Sequence, residues 1–192
     1  RFPVYVILSS RDQLETQYGP NTAAIIADLL QELAGLVRQM PEWSAQVFMP
    51  DDPEAMAQLG IKPVITSDAW KVKLSLADLD AALARQGEMI GALLIVGGPE
   101  IIPYHQLPNP TFDSDLEVPS DNPYATIDEN YFIPQWPVGR LPGETGSDVG
   151  LLLFQIRSVI HSYKKRSKKG FKHALSINHL RNLFLSAFSM LG

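Results

Sequence analysis

The sequence predicts an α/β protein of three layers, with helices on both faces of a mostly parallel sheet of about five strands. Short apolar runs that suit buried strands alternate along the chain with longer segments whose apolar residues recur every three or four positions. One run, Ala92–Val96, is apolar throughout and is closed by Gly97 and Gly98, as is typical of a doubly buried strand followed by a tight turn. The chain of 192 residues is long enough for a real core, and we expect it to form a single domain.

The first fifty residues predict a strand–helix–strand unit. The elements are a strand over Pro3–Ser9, a helix over Ala23–Met40 and a strand over Ser44–Met49. Asn21 or Thr22 would cap the helix and Pro41 would end it. The polar stretch Arg11–Thr22, with its Gly-Pro pair, predicts a loop. A unit of this kind indicates a parallel sheet with right-handed crossovers.

The next segment leads to the apolar strand. The predicted elements are a short helix over Pro53–Leu59 capped by Asp52, an edge segment over Ile61–Ser67 and a helix over Leu76–Met89. Ser75 followed by Asp78 is the capping signal of the longer helix.

Regular patterns return after Pro142. The predicted elements are a helix that Thr145 or Ser147 caps and that ends near Tyr163 or Lys165, a strand over Phe171–Ile177 and a helix over His179–Leu191. The last helix would present Leu180, Phe184, Phe188 and Leu191 on one side.

A long connection, residues 98–142, separates these two halves and has no clear helical or strand pattern. Loops of this length are usually functional or disordered, and the aromatic content here argues against disorder. We therefore expect Tyr124 and Tyr131 to be at least partly buried. We also expect Arg140, in a turn over Gly139–Pro142, to reach back to Asp121 and hold the loop at the end of the sheet.

Four short motifs occur in order along this region: Leu94–Gly98, Ile102-Pro103, Ser120-Asp121-x-x-Tyr124 and Val138–Pro142. Together they resemble the gingipain-like cysteine peptidases, whose domain has a caspase-like fold. The structural residues that the resemblance selects are Gly97, Gly98, Pro103, Ser120, Asp121, Tyr124, Gly139 and Arg140. The family often has Gly-Asp where this chain has Gly97-Gly98, so any role of that Asp is not transferred.

The resemblance implies hydrolysis of peptide bonds by a Cys thiolate with a His as general base. The chain contains no cysteine, and in the family both catalytic residues follow two later strands. The resemblance therefore covers the N-terminal half of the peptidase domain, and it assigns neither catalytic nor substrate-binding residues. We expect a chain that is inactive alone, that belongs to an enzyme acting on peptides or proteins, and that pairs with a second chain or a downstream segment.

Two other functions stay open. The first is a non-enzymatic α/β domain for binding or regulation, with the long loop as its recognition surface. The second is an anion or nucleic-acid binder that uses the basic stretch Lys164–Lys172. Residues 1–150 hold 8 Lys and Arg against 21 Asp and Glu, whereas residues 151–192 hold 8 Lys and Arg and no acid. We favour attraction between the two ends over nucleic-acid binding, which we consider unlikely.

Other chemistry has weak support in the sequence. Six acidic loop residues could bind Ca²⁺ but lack the spacing of an EF-hand loop, and we predict no metal site: Asp113, Asp115, Glu117, Asp121, Asp128 and Glu129. The four histidines are expected at surface or structural positions: His105, His161, His173 and His179. Neither G-x-S-x-G nor G-x-G-x-x-G occurs. No apolar run is long enough to span a bilayer, and no signal peptide is recognised. The sequence predicts no compartment. The missing initiator Met suggests that the chain is an excised piece of a longer protein.

Overall fold

A computed structural model describes residues 1–111, 114–128, 131 and 133–168. Its strands are β1 (Phe2–Leu8), β2 (Ser44–Phe48), β3 (Glu88–Val96), β4 (His105–Pro108), β5 (Glu117–Ser120) and β6 (Val138–Leu141). Its helices are α1 (Arg11–Tyr18), α2 (Pro20–Val37), α3 (Pro53–Leu59), α4 (Ala69–Ala84) and α5 (Gly150–Lys168), with a 3-10 helix over Asn122–Ala125. The predicted strand Phe171–Ile177 and helix His179–Leu191 lie outside the described residues.

Four strands form the main sheet, in the order β2-β1-β3-β6, and all of them are parallel. Leu8 of β1 lies opposite Phe48 on one side and Ile95 on the other. The short strands β4 and β5 form a separate antiparallel pair within the long connection. The predicted α/β class with a mostly parallel sheet is confirmed, and the architecture fits a caspase-like αβα fold.

The helices cover both faces of this sheet. The crossover β1–α2–β2 and the crossover β2–α4–β3 run in opposite directions across the sheet. Because crossovers of this kind are right-handed, the two helices lie on opposite faces. Helix α5 packs on α2, where Lys164 forms an ion pair with Glu32. The central strands are therefore buried on both sides, which explains their continuous apolar sequence.

The first helices differ from the prediction. The stretch Arg11–Thr22 is not a loop, because α1 occupies most of it and Ser10 Oγ caps it by accepting a hydrogen bond from Gln13 N. Only Leu14 of α1 is buried, so the segment has no apolar periodicity to read. Helix α2 starts at Pro20, ahead of the predicted caps, because proline suits the first turn of a helix. It ends at Val37, three residues before the expected end at Met40.

The region before β3 also requires corrections, although α3 matches the prediction and is capped by Asp52. Helix α4 begins at Ala69 under an Asp68 cap, so Ser75 is a buried residue inside the helix and not its cap. The predicted edge segment Ile61–Ser67 forms no strand. The predicted helix extended to Met89, but α4 ends at Ala84. Gly87, with φ +79°, lies in the turn that follows, and Glu88 and Met89 belong to β3.

The long connection is more regular than its sequence suggested. It contains the β4–β5 pair, the 3-10 helix and, at its end, strand β6 where a turn over Gly139–Pro142 was expected. The next helix begins at Gly150, whose N–H bonds Asp148 Oδ1, and not at Thr145 or Ser147. None of the helices in the described ranges combines the length and apolar character that crossing a bilayer requires.

Helix α2 offers a direct test of this packing. Leu30 is fully buried, whereas Ile25 on the same helix is 49% exposed. We expect Leu30→Ala to lower the free energy of unfolding by about 2–5 kcal/mol, because it removes buried methyl groups and leaves a cavity. Ile25→Ala, measured by urea denaturation beside it, should cost far less. Equal losses for the two variants would show that α2 does not pack as described.

Candidate functional site

The carboxyl ends of the four parallel strands meet at one edge of the sheet. In open α/β sheets, ligands bind outside this edge where the strand order reverses, which here lies between β1 and β3. The two strand ends are joined by a hydrogen bond of 2.9 Å from Ser9 Oγ to the carbonyl oxygen of Val96. Gly97 N donates to the carbonyl oxygen of Leu141, which ties the end of β3 to the end of β6. The long connection leaves the sheet at this point.

The two glycines after β3 are required by this geometry. Gly97 has φ +117°, and a Cβ there would lie 2.5 Å from Cβ of Ile101. A Cβ on Gly98 would approach the Pro142 carbonyl oxygen to 3.1 Å. The Gly-Gly pair is therefore explained by a tight turn and close backbone packing, without a phosphate-binding role.

The guanidinium of Arg140 organises the start and the middle of the long connection. Its Nε donates to Asp121 Oδ2 at 2.8 Å, and its Nη2 donates to the other carboxylate oxygen. Its Nη1 donates to the carbonyl oxygens of Gly97 at 2.9 Å and Ile102 at 2.8 Å. The side chain is only 6% exposed. We call this group the Arg140 cluster. The expected pair of Arg140 with Asp121 is thus present, and it is bidentate.

Aromatic side chains close the Arg140 cluster. Tyr124 is fully buried and donates its hydroxyl to the Pro103 carbonyl oxygen at 2.7 Å. Burial raises its pKa, so the hydroxyl stays a donor. Tyr104 lies under the guanidinium, with the ring centroid 4.3 Å from Arg140 Cζ. Trp136 donates its indole N–H to the carbonyl oxygen of Tyr124 at 3.0 Å. These contacts explain why the aromatic loop is ordered.

The sequence-selected structural residues largely converge here. Gly97, Gly98, Asp121 and Arg140 share hydrogen bonds within the Arg140 cluster, and Pro103 accepts from Tyr124. Ser120 lies beside them and accepts a bond from Asn122 N, which starts the 3-10 helix. Gly139 lies on β6 opposite Leu94, and a Cβ there would meet no atom within 4 Å. Tyr131 is half-buried, while Phe112 and Phe132 lie outside the described residues.

A second buried cation holds the far side of the connection. Lys73 of α4 is 4% exposed, and its ammonium donates to the carbonyl oxygens of Pro123, Thr126 and Asp128 at 2.9, 3.1 and 2.8 Å. Three acceptors match the three N–H bonds of an ammonium group. Burial lowers the pKa of Lys73, and the nearby Asp128 opposes that shift. Sequence reasoning missed this residue, although a lysine next to Val72 at a core-facing position of a helix was the available signal.

His105 lies between the two cations. Its ring packs edge-on against Trp70, with centroids 4.9 Å apart, and against Tyr124 at 4.6 Å. Burial, together with the positive charge of Lys73, lowers its pKa to about 4. Its Nε2 is buried without a hydrogen-bond partner among the described residues. A neutral imidazole packed between aromatic rings is a structural histidine, as the sequence suggested.

A polar group that the sequence did not reveal lies at the ends of β1 and β2. Ser10 Oγ donates to Asp51 Oδ2 at 2.7 Å and lies 2.7 Å from Thr66 Oγ1. Asp12 N donates to the same carboxylate oxygen at 2.7 Å, so the group fixes the start of α1. The detectable signal was the pair of acids at positions 51 and 52 directly after a strand. Ser10 Oγ contacts the Asp51 carboxylate, the Thr66 hydroxyl and the Gln13 amide, and these contacts hold the start of α1 in place.

The described part of the chain holds no group of three His, Cys, Asp or Glu side chains that could bind a metal ion. Among the acidic loop residues, Asp121 is engaged by Arg140, and Asp113 and Glu129 lie outside the described residues. His161 is exposed on α5. His173 and His179 lie outside the described residues.

A parallel sheet with helices on both faces is consistent with a caspase-like αβα fold. Comparison with family models matches residues 73–170 to peptidase family C25, the gingipain family. The match covers half of the chain, from Lys73 through the Arg140 cluster to α5, and the chain belongs to this family. No match was found among curated proteins or solved structures.

The Arg140 cluster predicts a large effect of substitution. We expect Arg140→Met to lower the free energy of unfolding by about 3–5 kcal/mol, because it removes the donors to the Asp121 carboxylate and to the carbonyl oxygens of Gly97 and Ile102. Arg140→Lys should lose less stability than Arg140→Met because it keeps the positive charge. It should still be less stable than wild type, because a single ammonium cannot serve both sides of the cluster. Arg157→Met, at an exposed position on α5, is the control and should change stability by less than about 0.5 kcal/mol. Similar urea transitions for Arg140→Met and the control would contradict this role.

The buried histidine predicts a pH dependence. The pKa of His105 is about 4 in the folded chain against 6.5 for an unperturbed imidazole. Between these pH values the unfolded chain binds a proton that the folded chain does not. The contribution of neutral His105 to the free energy of unfolding is therefore complete above pH 6.5 and is lost as the pH falls toward 4. In urea denaturation at pH 7 and pH 4.5, wild-type protein should lose more stability than His105→Phe. An identical pH dependence of the two proteins would refute the assignment.

Proposed function

We propose that this chain is the N-terminal half of the catalytic domain of a gingipain-like cysteine endopeptidase. In this proposal the catalytic Cys and His are supplied by residues outside positions 1–192, and the chain is inactive alone. The observation that carries the proposal is membership of peptidase family C25 in a chain without a single cysteine. A family whose nucleophile is a thiolate cannot perform its chemistry with these residues only.

The implied reaction is the attack of a Cys thiolate on the scissile carbonyl carbon. A His accepts the thiol proton and later donates a proton to the leaving amine. The residues of this chain would act by position, forming the carboxyl edge of β1, β3 and β6 against which the catalytic segment is placed. The ends of these strands are fixed by the bonds from Ser9 to Val96 and from Gly97 to Leu141.

The Arg140 cluster supports a structural task for this side chain. Every nitrogen of the guanidinium already donates, to the Asp121 carboxylate or to backbone carbonyls. An arginine that bound a substrate carboxylate would need its planar fork directed outward and open. We therefore place Arg140 in the support of the active-site edge and not in substrate binding.

The lack of nucleophile also leaves a non-enzymatic role to be tested. The edge residues that could attack a carbonyl group are Ser9 and Ser10, and their hydroxyls bond Val96 O and Asp51. A C25-related domain with no thiolate could serve in binding or regulation, with the long connection as its surface. The two functions differ in whether a reactive thiol accompanies this domain in the full translation product of its gene.

We predict that the purified chain of 192 residues shows no thiol-dependent cleavage of a mixed peptide library. The full translation product should instead be labelled at a cysteine by a peptide-based thiol-reactive probe, and it should cleave the library until iodoacetamide is added. Replacing the labelled cysteine with Ala provides the matched inactive control.

Two results would contradict the proposal. Iodoacetamide-sensitive cleavage by the 192-residue chain itself would show that it is not inactive alone. A full translation product in which the probe labels no cysteine would exclude the peptidase and favour the binding or regulatory domain.

A further inference from the structure

Helix α4 has a second apolar face that the sheet does not use. One face packs on β3 and on the 3-10 helix. The other carries Trp70, Leu74, Ala77 and Ala81, at intervals of four, three and four residues. This spacing places the four side chains in one straight stripe along the helix. We call it the α4 stripe.

The α4 stripe is open within the described part of the chain. Trp70 is 54% exposed and Leu74 is 61% exposed, which is unusual for large apolar side chains placed side by side. Ile127, which is 45% exposed, lies in the segment that Lys73 fixes to the same helix through the carbonyl oxygens of Thr126 and Asp128. A contiguous exposed apolar patch of this kind marks an interaction surface.

We propose that the α4 stripe binds a second copy of this chain, through an antiparallel pair of α4 helices related by a two-fold axis. In such a pair each residue of one helix meets the residue at the mirrored position of the other. Trp70 then lies opposite the second copy's Ala81, and Leu74 lies opposite its Ala77. Each large side chain meets a small one, which lets the two helices approach closely and pack.

The charges beside the stripe are self-complementary in the same arrangement. Lys71 and Asp78 are both exposed and are seven residues apart, so they lie on the same flank of the stripe. In an antiparallel two-fold pair, each flank of the stripe faces the same flank of the second helix. Lys71 of each chain therefore lies near Asp78 of the other, giving two equivalent ion pairs. A parallel pair would not form these ion pairs, because each flank of the stripe would then face the opposite flank of the second helix.

Self-complementarity favours a second copy over an unrelated partner. It also separates this surface from the proposed peptidase function, because α4 lies on a face of the sheet and the catalytic segment would meet the carboxyl edge. The stripe is short, so the dimer should be weak and concentration-dependent.

Sedimentation velocity on the 192-residue chain, from low micromolar to several hundred micromolar, tests the proposal. Wild-type protein should pass from monomer to dimer over this range. Leu74→Glu should raise the dissociation constant at least about tenfold, since it buries a charge at the centre of the contact. Phe154→Glu is the matched control, because Phe154 on α5 is 67% exposed and lies outside the stripe. It should dimerise like wild type.

A charge reversal identifies the arrangement. Lys71→Asp should weaken the dimer by placing two carboxylates together, and Asp78→Lys should weaken it by placing two ammonium groups together. The double variant Lys71→Asp/Asp78→Lys should restore dimerisation. Circular dichroism and urea transitions should stay close to wild type, since both positions are exposed.

Three outcomes would overturn the proposal. The first is a wild-type protein that stays monomeric at every concentration, which would favour a stripe covered by another segment of the chain or by another partner. The others are a dimer that Leu74→Glu leaves intact and a double variant that dimerises no better than the single reversals.

Discussion

The guanidinium of Arg140 is the interaction on which the long connection depends. The connection leaves the sheet after β3 and returns to it as β6, and Arg140 is the point on β6 that reaches back to its beginning and its middle. One planar group with five N–H bonds can serve a carboxylate on one side and backbone carbonyls on the other. Its charge is balanced by Asp121, so the group can be buried without the penalty of a lone ion.

Lys73 of α4 is the second buried cation that holds the long connection in place. It fixes residues 123–128 to α4, while Arg140 fixes residues 97–102 and Asp121 to β6. Between the two cations lie His105 and Tyr124, whose rings contact each other and fill the space. A segment with little regular structure thus gains a fixed shape from buried cations that satisfy its free carbonyl groups. This arrangement also explains the neutral state of His105, since a further positive charge next to Lys73 would be unfavourable.

The sequence predicted the fold class because strands such as Ala92–Val96 are apolar throughout and α2 has a clear periodicity. It placed the residues of the Arg140 cluster through their resemblance to a family, and the pair of Arg140 with Asp121 through charge and position. It failed where local signals were weak or competing: α1 buries one residue, and Asp68 caps α4 while the signal at Ser75 looked stronger. Lys73 was missed because its partners are backbone carbonyls, which no side-chain pattern reports.

The chemistry of the family and the structure of this edge together constrain where catalysis can take place. The hydroxyls of Ser9 and Ser10 are engaged, each nitrogen of the Arg140 guanidinium donates a hydrogen bond, and the His105 ring packs between those of Trp70 and Tyr124. Ser9 and Arg140 thereby fix the backbone of the strand ends and of the long connection, and Ser10 and Asp51 fix the start of α1. In our proposal, these bonds hold the edge rigid before any catalytic residue is placed against it. For an enzyme of family C25, that rigidity is what a thiolate and an imidazole placed against this edge would require to hold their geometry.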